Sequence, residues 1–249
     1  MTQVEICLED VGGPASARAG GAGRVELCAG LSEGGTTPTL GFVTHARRAA
    51  PELDIQVLVR PRAGDFVYSA AELDVMVADI EAVLALPATG TGVLGFTLGA
   101  LTAAGTVDEA ATARLVTACS GAPVTFHKAF DAVPDKRAAL DLLTALGVAK
   151  VLTAGGPGAA LGHLDVLADL VDHAGQDISV VVGGGVRPGN AAQVVRETGA
   201  REIHLRAPVE VRTGSAAGPS DYDVGTRTVT SAELVAAVVA AVAPGEGSA

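Results

Sequence analysis

Near its start the chain twice sets a glutamate and a cysteine two residues apart, in Val4-Glu5-Ile6-Cys7 and Val25-Glu26-Leu27-Cys28. Both stretches alternate with the period of a strand, so Glu and Cys share one face and the apolar residues the other. Two thiols in matched positions offer three chemistries. They can pack as small hydrophobes, hold a soft metal such as copper(I), or form a redox disulfide if their Cα atoms lie within ~7 Å. The carboxylates can form a charge lattice with Arg24, Arg60 and Arg62, or do acid–base work with one raised pKa. Carboxylates beside thiols are also expected to raise the thiol pKa values.

The spacing of these stretches fits strand, short helix, strand, and so makes them parallel neighbours. The same rhythm runs through the chain. Strands are predicted at about 3–8, 24–29, 55–60, 92–97, 123–128, 149–153, 178–183 and 201–206. Helical patterns lie near 13–20, 38–50, 70–86, 108–119, 135–146, 158–174 and 189–198. A polar, Gly-rich loop at 208–229 leads to a last helix at 231–243, and residues 244–249 read as a frayed tail. Eight βα units without a linker predict an α/β fold: one (β/α)₈ TIM barrel over 1–243 with a short C-terminal helix. No Gly-x-Gly-x-x-Gly follows the first strand, which disfavours a doubly wound sheet.

Barrel residues alternate between the interior and the helix-facing side, and sites sit at the C-terminal mouth. The alternation turns Glu5, Cys7, Glu26 and Cys28 inward, with Arg60 and Arg62 from the third strand and Asp65 just beyond. The fifth strand delivers His127, followed by Lys128 and Asp131. The eighth delivers His204 and Arg206. Because barrel strands are staggered, Glu5 and Glu26 are expected at different heights, with no requirement that the sulfurs touch. Gly183, Gly184 and Gly185 end the seventh strand, where backbone N–H groups opening onto a helix can cradle an anion. Cys119 ends an amphipathic helix and is expected in the core. His45, His163 and His173 fall on helical stretches and are expected to face solvent.

Hydrophobic content of 49% with only 3% aromatic residues leaves Val, Ala and Leu to fill the interior, as buried parallel strands do. A formal net charge of −11 argues against nucleic acid or an anionic membrane surface as partner. No apolar run is long enough to span a bilayer. Three cysteines without a scaffold spacing suit a reducing compartment, so a cytoplasmic location is expected. The zinc motifs His-Glu-x-x-His and Cys-x-x-Cys and the Gly-x-Ser-x-Gly elbow are absent.

Glu5-Ile6-Cys7, Gly23-Arg24-Val25-Glu26-Leu27-Cys28 and Glu33-Gly34-Gly35-Thr36-Thr37-Pro38 resemble the start of the CutC family of copper homeostasis proteins. The resemblance continues through Arg60-Pro61-Arg62-Ala63-Gly64-Asp65-Phe66, Thr125-Phe126-His127-Lys128-Ala129-Phe130-Asp131 and Glu202-Ile203-His204, spanning about 1–207 in order. It implies a cytoplasmic, homo-oligomeric TIM barrel linked to copper, with Cys7 and Cys28 at the family's proposed copper(I) pair. Leu205-Arg206 departs from the small residues the family carries after the histidine. No organic cofactor is implied. Two functions stand at this point. One is copper(I) binding through Cys7 and Cys28. The other is a lyase, isomerase or hydrolase on a small anionic compound, phosphorylated or not. There Arg60 and Arg62 would orient the anion, Gly183–Gly185 would cradle it, Glu5 or Glu26 would be base and His127 acid.

Overall fold

The computed structural model describes residues 2–214 and 223–243. The expected tail at 244–249 and the middle of the 208–229 loop lie outside the described residues. Eight strands close into a parallel barrel in chain order: β1 (Gln3–Leu8), β2 (Arg24–Leu27), β3 (Asp54–Leu58), β4 (Leu94–Leu98), β5 (Val124–Phe126), β6 (Lys150–Thr153), β7 (Ser179–Gly183) and β8 (Glu202–Leu205). Closure comes from β8 pairing with β1, with Glu5 opposite His204. Seven helices link or follow the strands: α1 (Gly13–Ala19), α2 (Leu40–Ala49), α3 (Ala70–Leu84), α4 (Glu109–Ala118), α5 (Lys136–Ala145), α6 (Leu164–Ala174) and α7 (Ala191–Thr198).

Helices α2 to α5 start where side chains satisfy their first amides, Thr39 on α2 among them. Ser69 and Glu72 form a capping box on α3, and Asp108 and Asp135 cap α4 and α5. On α3 the buried residues are Met76, Ile80 and Val83, one stripe at helical spacing against the barrel wall. That wall is the outward row of the strands. Val25, Leu27, Ile55, Val57, Phe96 and Phe126 are all buried against helices in one core. The barrel interior is therefore left to the alternate, more polar row.

Two expectations are corrected. The 208–229 segment is not loop throughout: β9 (Pro208–Arg212) and β10 (Thr226–Thr230) form an antiparallel hairpin before α8 (Ala232–Ala241). Its strands are largely exposed, so no buried stripe marks them in the sequence. The predicted 158–174 helix is a 3₁₀ turn at Ala160–Gly162 followed by α6, broken at His163, which has non-helical backbone angles.

Candidate metal centre

Strand register settles the heights. Glu5 is level with Arg24 and His204, while Cys7 is level with Glu26, one layer nearer the mouth. Cys28 follows β2 and donates its backbone N–H to the Leu8 carbonyl. The two sulfurs do meet, at 3.6 Å. Leu58 and Leu31 pack beside them in an apolar cluster apart from the main core. Gly183 leaves room for the neighbouring His204: a Cβ there would stand 2.7 Å from Leu152 and 3.3 Å from the His204 ring.

Beneath the thiols lies a buried ionic layer. Arg24 donates to both Glu5 and Glu202, and Glu202 also accepts from Ser179 at 2.6 Å and Lys150 at 3.3 Å. Glu5 also bonds His204 Nδ1 at 2.6 Å. Burial alone would raise the Glu5 pKa, but the Arg24 charge and the His204 bond outweigh it and hold it at about 2. For His204, burial would lower the pKa. Its bond with Cys7, the Glu26 charge and the Glu5 bond outweigh burial and hold it well above the usual range.

Around the thiols the order reverses. Burial, followed by the Cys7 charge, pushes Glu26 up to about 8. Cys7 falls to about 5, chiefly because Cys28 donates to it, with burial opposing and His204 assisting. Cys28, the donor, rises well above an ordinary thiol, and burial adds to the rise. The expectation that the carboxylates raise both thiols is corrected for Cys7: a thiol donor and an imidazolium reach it. These directions favour the charged forms of Glu5, Cys7 and His204 and the protonated form of Glu26. Cys7 Sγ, a Glu26 carboxylate oxygen and a His204 ring nitrogen lie within 4.8 Å of one another, a set able to hold a metal. Glu26 Oε2 also lies 3.5 Å from Cys28 Sγ, within reach of the same S–H.

Glu5→Gln should flatten the acid limb of stability. The depressed Glu5 pKa contributes stability above pH 4.5, and that stability is lost as pH falls toward 2, roughly 3 kcal/mol in all. Urea unfolding between pH 5 and 2.5 measures the slope. An unchanged slope in the variant would assign the acid transition to another group.

The other expected site residues scatter. Arg60 points inward and is buried, but its guanidinium serves the carbonyls of Glu33, Gly35 and Gly64. His127 stacks on Phe66 at 4.7 Å, accepts from Ala129 N–H through Nδ1 and has no hydrogen-bond partner at Nε2. Burial, then the Arg60 charge, lower it to about 3, which favours the neutral ring and tells against the acid role expected of it. Asp131 accepts from Thr153, the Ala154 N–H and Lys128. The inward orientation expected of Arg62 is corrected. β3 ends at Leu58, alternation lapses, and Arg62 turns outward to pair with Asp65 and Glu72. Arg206 lies at the rim, half exposed, 3.9 Å from Glu9. His163 is half-buried, its Nε2 bonded to the Pro157 carbonyl at 2.8 Å. Cys119 is in the core, where burial takes its thiol up to about 12.

Above Cys7 and His204 opens a cavity of about 640 Å³, walled in part by Leu31, Val186 and Leu234. The sequence reading missed the Glu202, Lys150 and Ser179 layer beneath. The signal was present, since these residues continue the inward alternation of β6, β7 and β8.

A closed (β/α)₈ barrel with two touching thiols at its C-terminal mouth is the class of protein that this fold and site define. The CutC family profile matches residues 2–209, and the chain belongs to that family. A CutC family protein of Caulobacter vibrioides is 45% identical over 201 residues, 81% of this chain and 79% of that one. The copper homeostasis protein cutC homolog of Mus musculus is 42% identical over 204 residues, 82% and 73% of the two chains. The crystal structure of CutC from Streptococcus agalactiae superposes with a TM-score of 0.76 at 33% identity, covering 82% of this chain and 98% of that one.

Proposed function

We propose that this barrel takes copper(I) as cargo on Cys7 and Cys28, within the copper homeostasis role for which relatives such as the mouse protein are named. The observation that carries the reading is the 3.6 Å separation of the two sulfurs. Two metal–thiolate bonds of ~2.3 Å reach at most ~4.6 Å when opposed, so one ion can bridge the pair. The shorter observed separation favours a bent arrangement, which His204 or Glu26 can complete from within 4.8 Å of Cys7. Thiolate and imidazole donors suit copper(I). The reading includes a cytoplasmic location, in keeping with three unbridged cysteines, and self-association, as the family resemblance implies. An anaerobic copper(I) competition titration tests it. One tight equivalent per chain supports the reading, and only weak, multi-equivalent uptake overturns it.

One observation favours a second reading, an enzyme acting on a small anionic compound. His204 is fixed by Glu5 at 2.6 Å and lines the floor of the open cavity, as a positioned proton donor would. Glu26, at about 8, is then the carboxyl poised for proton exchange, whereas Glu5 is locked as an anion.

A further inference from the structure

The mouth cavity has a charge bias that two thiols and a metal ion do not require. The chain carries a formal net charge of −11, yet the cavity lining includes Lys128, Arg187 and Arg206 and no Asp or Glu. At about 640 Å³ it has the size of a small-molecule site. Gly184 and Gly185 turn the chain at the end of β7 with φ of +99° and +73°. A Cβ on Gly184 would stand 3.1 Å from Lys128 Nζ, so the ammonium rests against this turn. Among the described residues, the N–H groups of Gly184, Gly185 and Val186 have no hydrogen-bond acceptor. His204, nine-tenths buried, also lines the cavity. Its Nδ1 is held by Glu5 at 2.6 Å, which turns Nε2 toward Cys7, 3.8 Å from Glu26.

We infer that this cavity binds a small organic phosphate, with its phosphoryl group on Lys128 and the Gly184–Val186 amides and its apolar body toward Val186 and Leu234. An ammionium-type cation beside successive backbone N–H groups makes an anion-binding concavity. The three outer oxygens of a phosphoryl group use more of those donors than the two of a carboxylate. The end of the seventh strand is also where barrels of this architecture commonly seat phosphate. Lys128 is steadied by Asp131 at 2.6 Å, and Asp131 is itself fixed by Thr153 and the Ala154 N–H. Arg206 shares its charge with Glu9 at 3.9 Å. Arg187 makes no ion pair among the described residues, which leaves its charge to the cavity.

Calorimetric titration with phenyl phosphate tests the inference, with benzoate as the carboxylate counterpart. Saturable binding of phenyl phosphate is expected, weakened about tenfold or more by Lys128→Met, since a charge-assisted hydrogen bond is lost. Arg187→Gln, at an exposed position, should weaken it less and serves if the lysine variant does not fold. Cys28→Ser, at a residue outside the cavity lining, should bind phenyl phosphate within about twofold of wild type while losing copper(I), which separates this site from the copper reading. No saturable binding, equal affinity for benzoate, or indifference to both cation substitutions would overturn it.

Discussion

Arg24→Met should destabilise the barrel by about 3–5 kcal/mol, the usual cost of removing one partner from a buried ion pair. The Arg24 side chain is 4% exposed and bridges two carboxylates, Glu5 and Glu202. Without it, among the described residues, Glu5 keeps His204, and Glu202 keeps Lys150 and Ser179. Both carboxylates would then be pulled toward protonation, and the loss should deepen as pH rises above 5. The triple variant with Glu5→Gln and Glu202→Gln should recover much of the loss, because the uncompensated charges are gone. Urea unfolding of the three proteins measures this. A loss below about 1 kcal/mol in Arg24→Met would mean that the layer under the thiols is not an electrostatic unit.

Cys28→Ser should lower copper(I) affinity by more than about 100-fold, since losing even a group that only orients a metal ligand costs about 10–100-fold. Cys28 is buried, and serine is close to it in size and opens no large cavity. The serine hydroxyl can still donate toward Cys7, so the Cys7 thiolate keeps its donor. The change therefore removes a soft ligand and leaves the local electrostatics largely in place. Cys119→Ala, in the core and away from the thiol pair, should leave copper affinity unchanged. The anaerobic competition assay reads both variants. Retention of wild-type affinity in Cys28→Ser would reduce copper at this site to an adventitious ligand.

Much of this was legible from the residues. The short apolar strands alternating with capped helices specify a (β/α)₈ barrel, because each unit buries its own outward row against its own helix. Period-2 alternation likewise decides which way Glu5, Cys7, Glu26, Cys28, Arg60, His127 and His204 point. It holds only while the chain stays extended. It fails at Arg62, beyond the end of β3, and gives no warning of the exposed β9–β10 hairpin.

The sequence by itself thus determined the fold, the inward set of side chains and the paired thiols. Only the tertiary structure decided their heights, because height depends on a register accumulated around all eight strands until β8 meets β1. That register seats His204 beside Glu5, two sulfurs in contact, and Glu202 under Arg24, pairs separated by up to 199 positions in the chain. The protonation states follow from the same closure. Glu5 and Glu26 stand in near-identical local sequences, yet one lies against a guanidinium and the other against a thiolate, and their pKa values part in opposite directions.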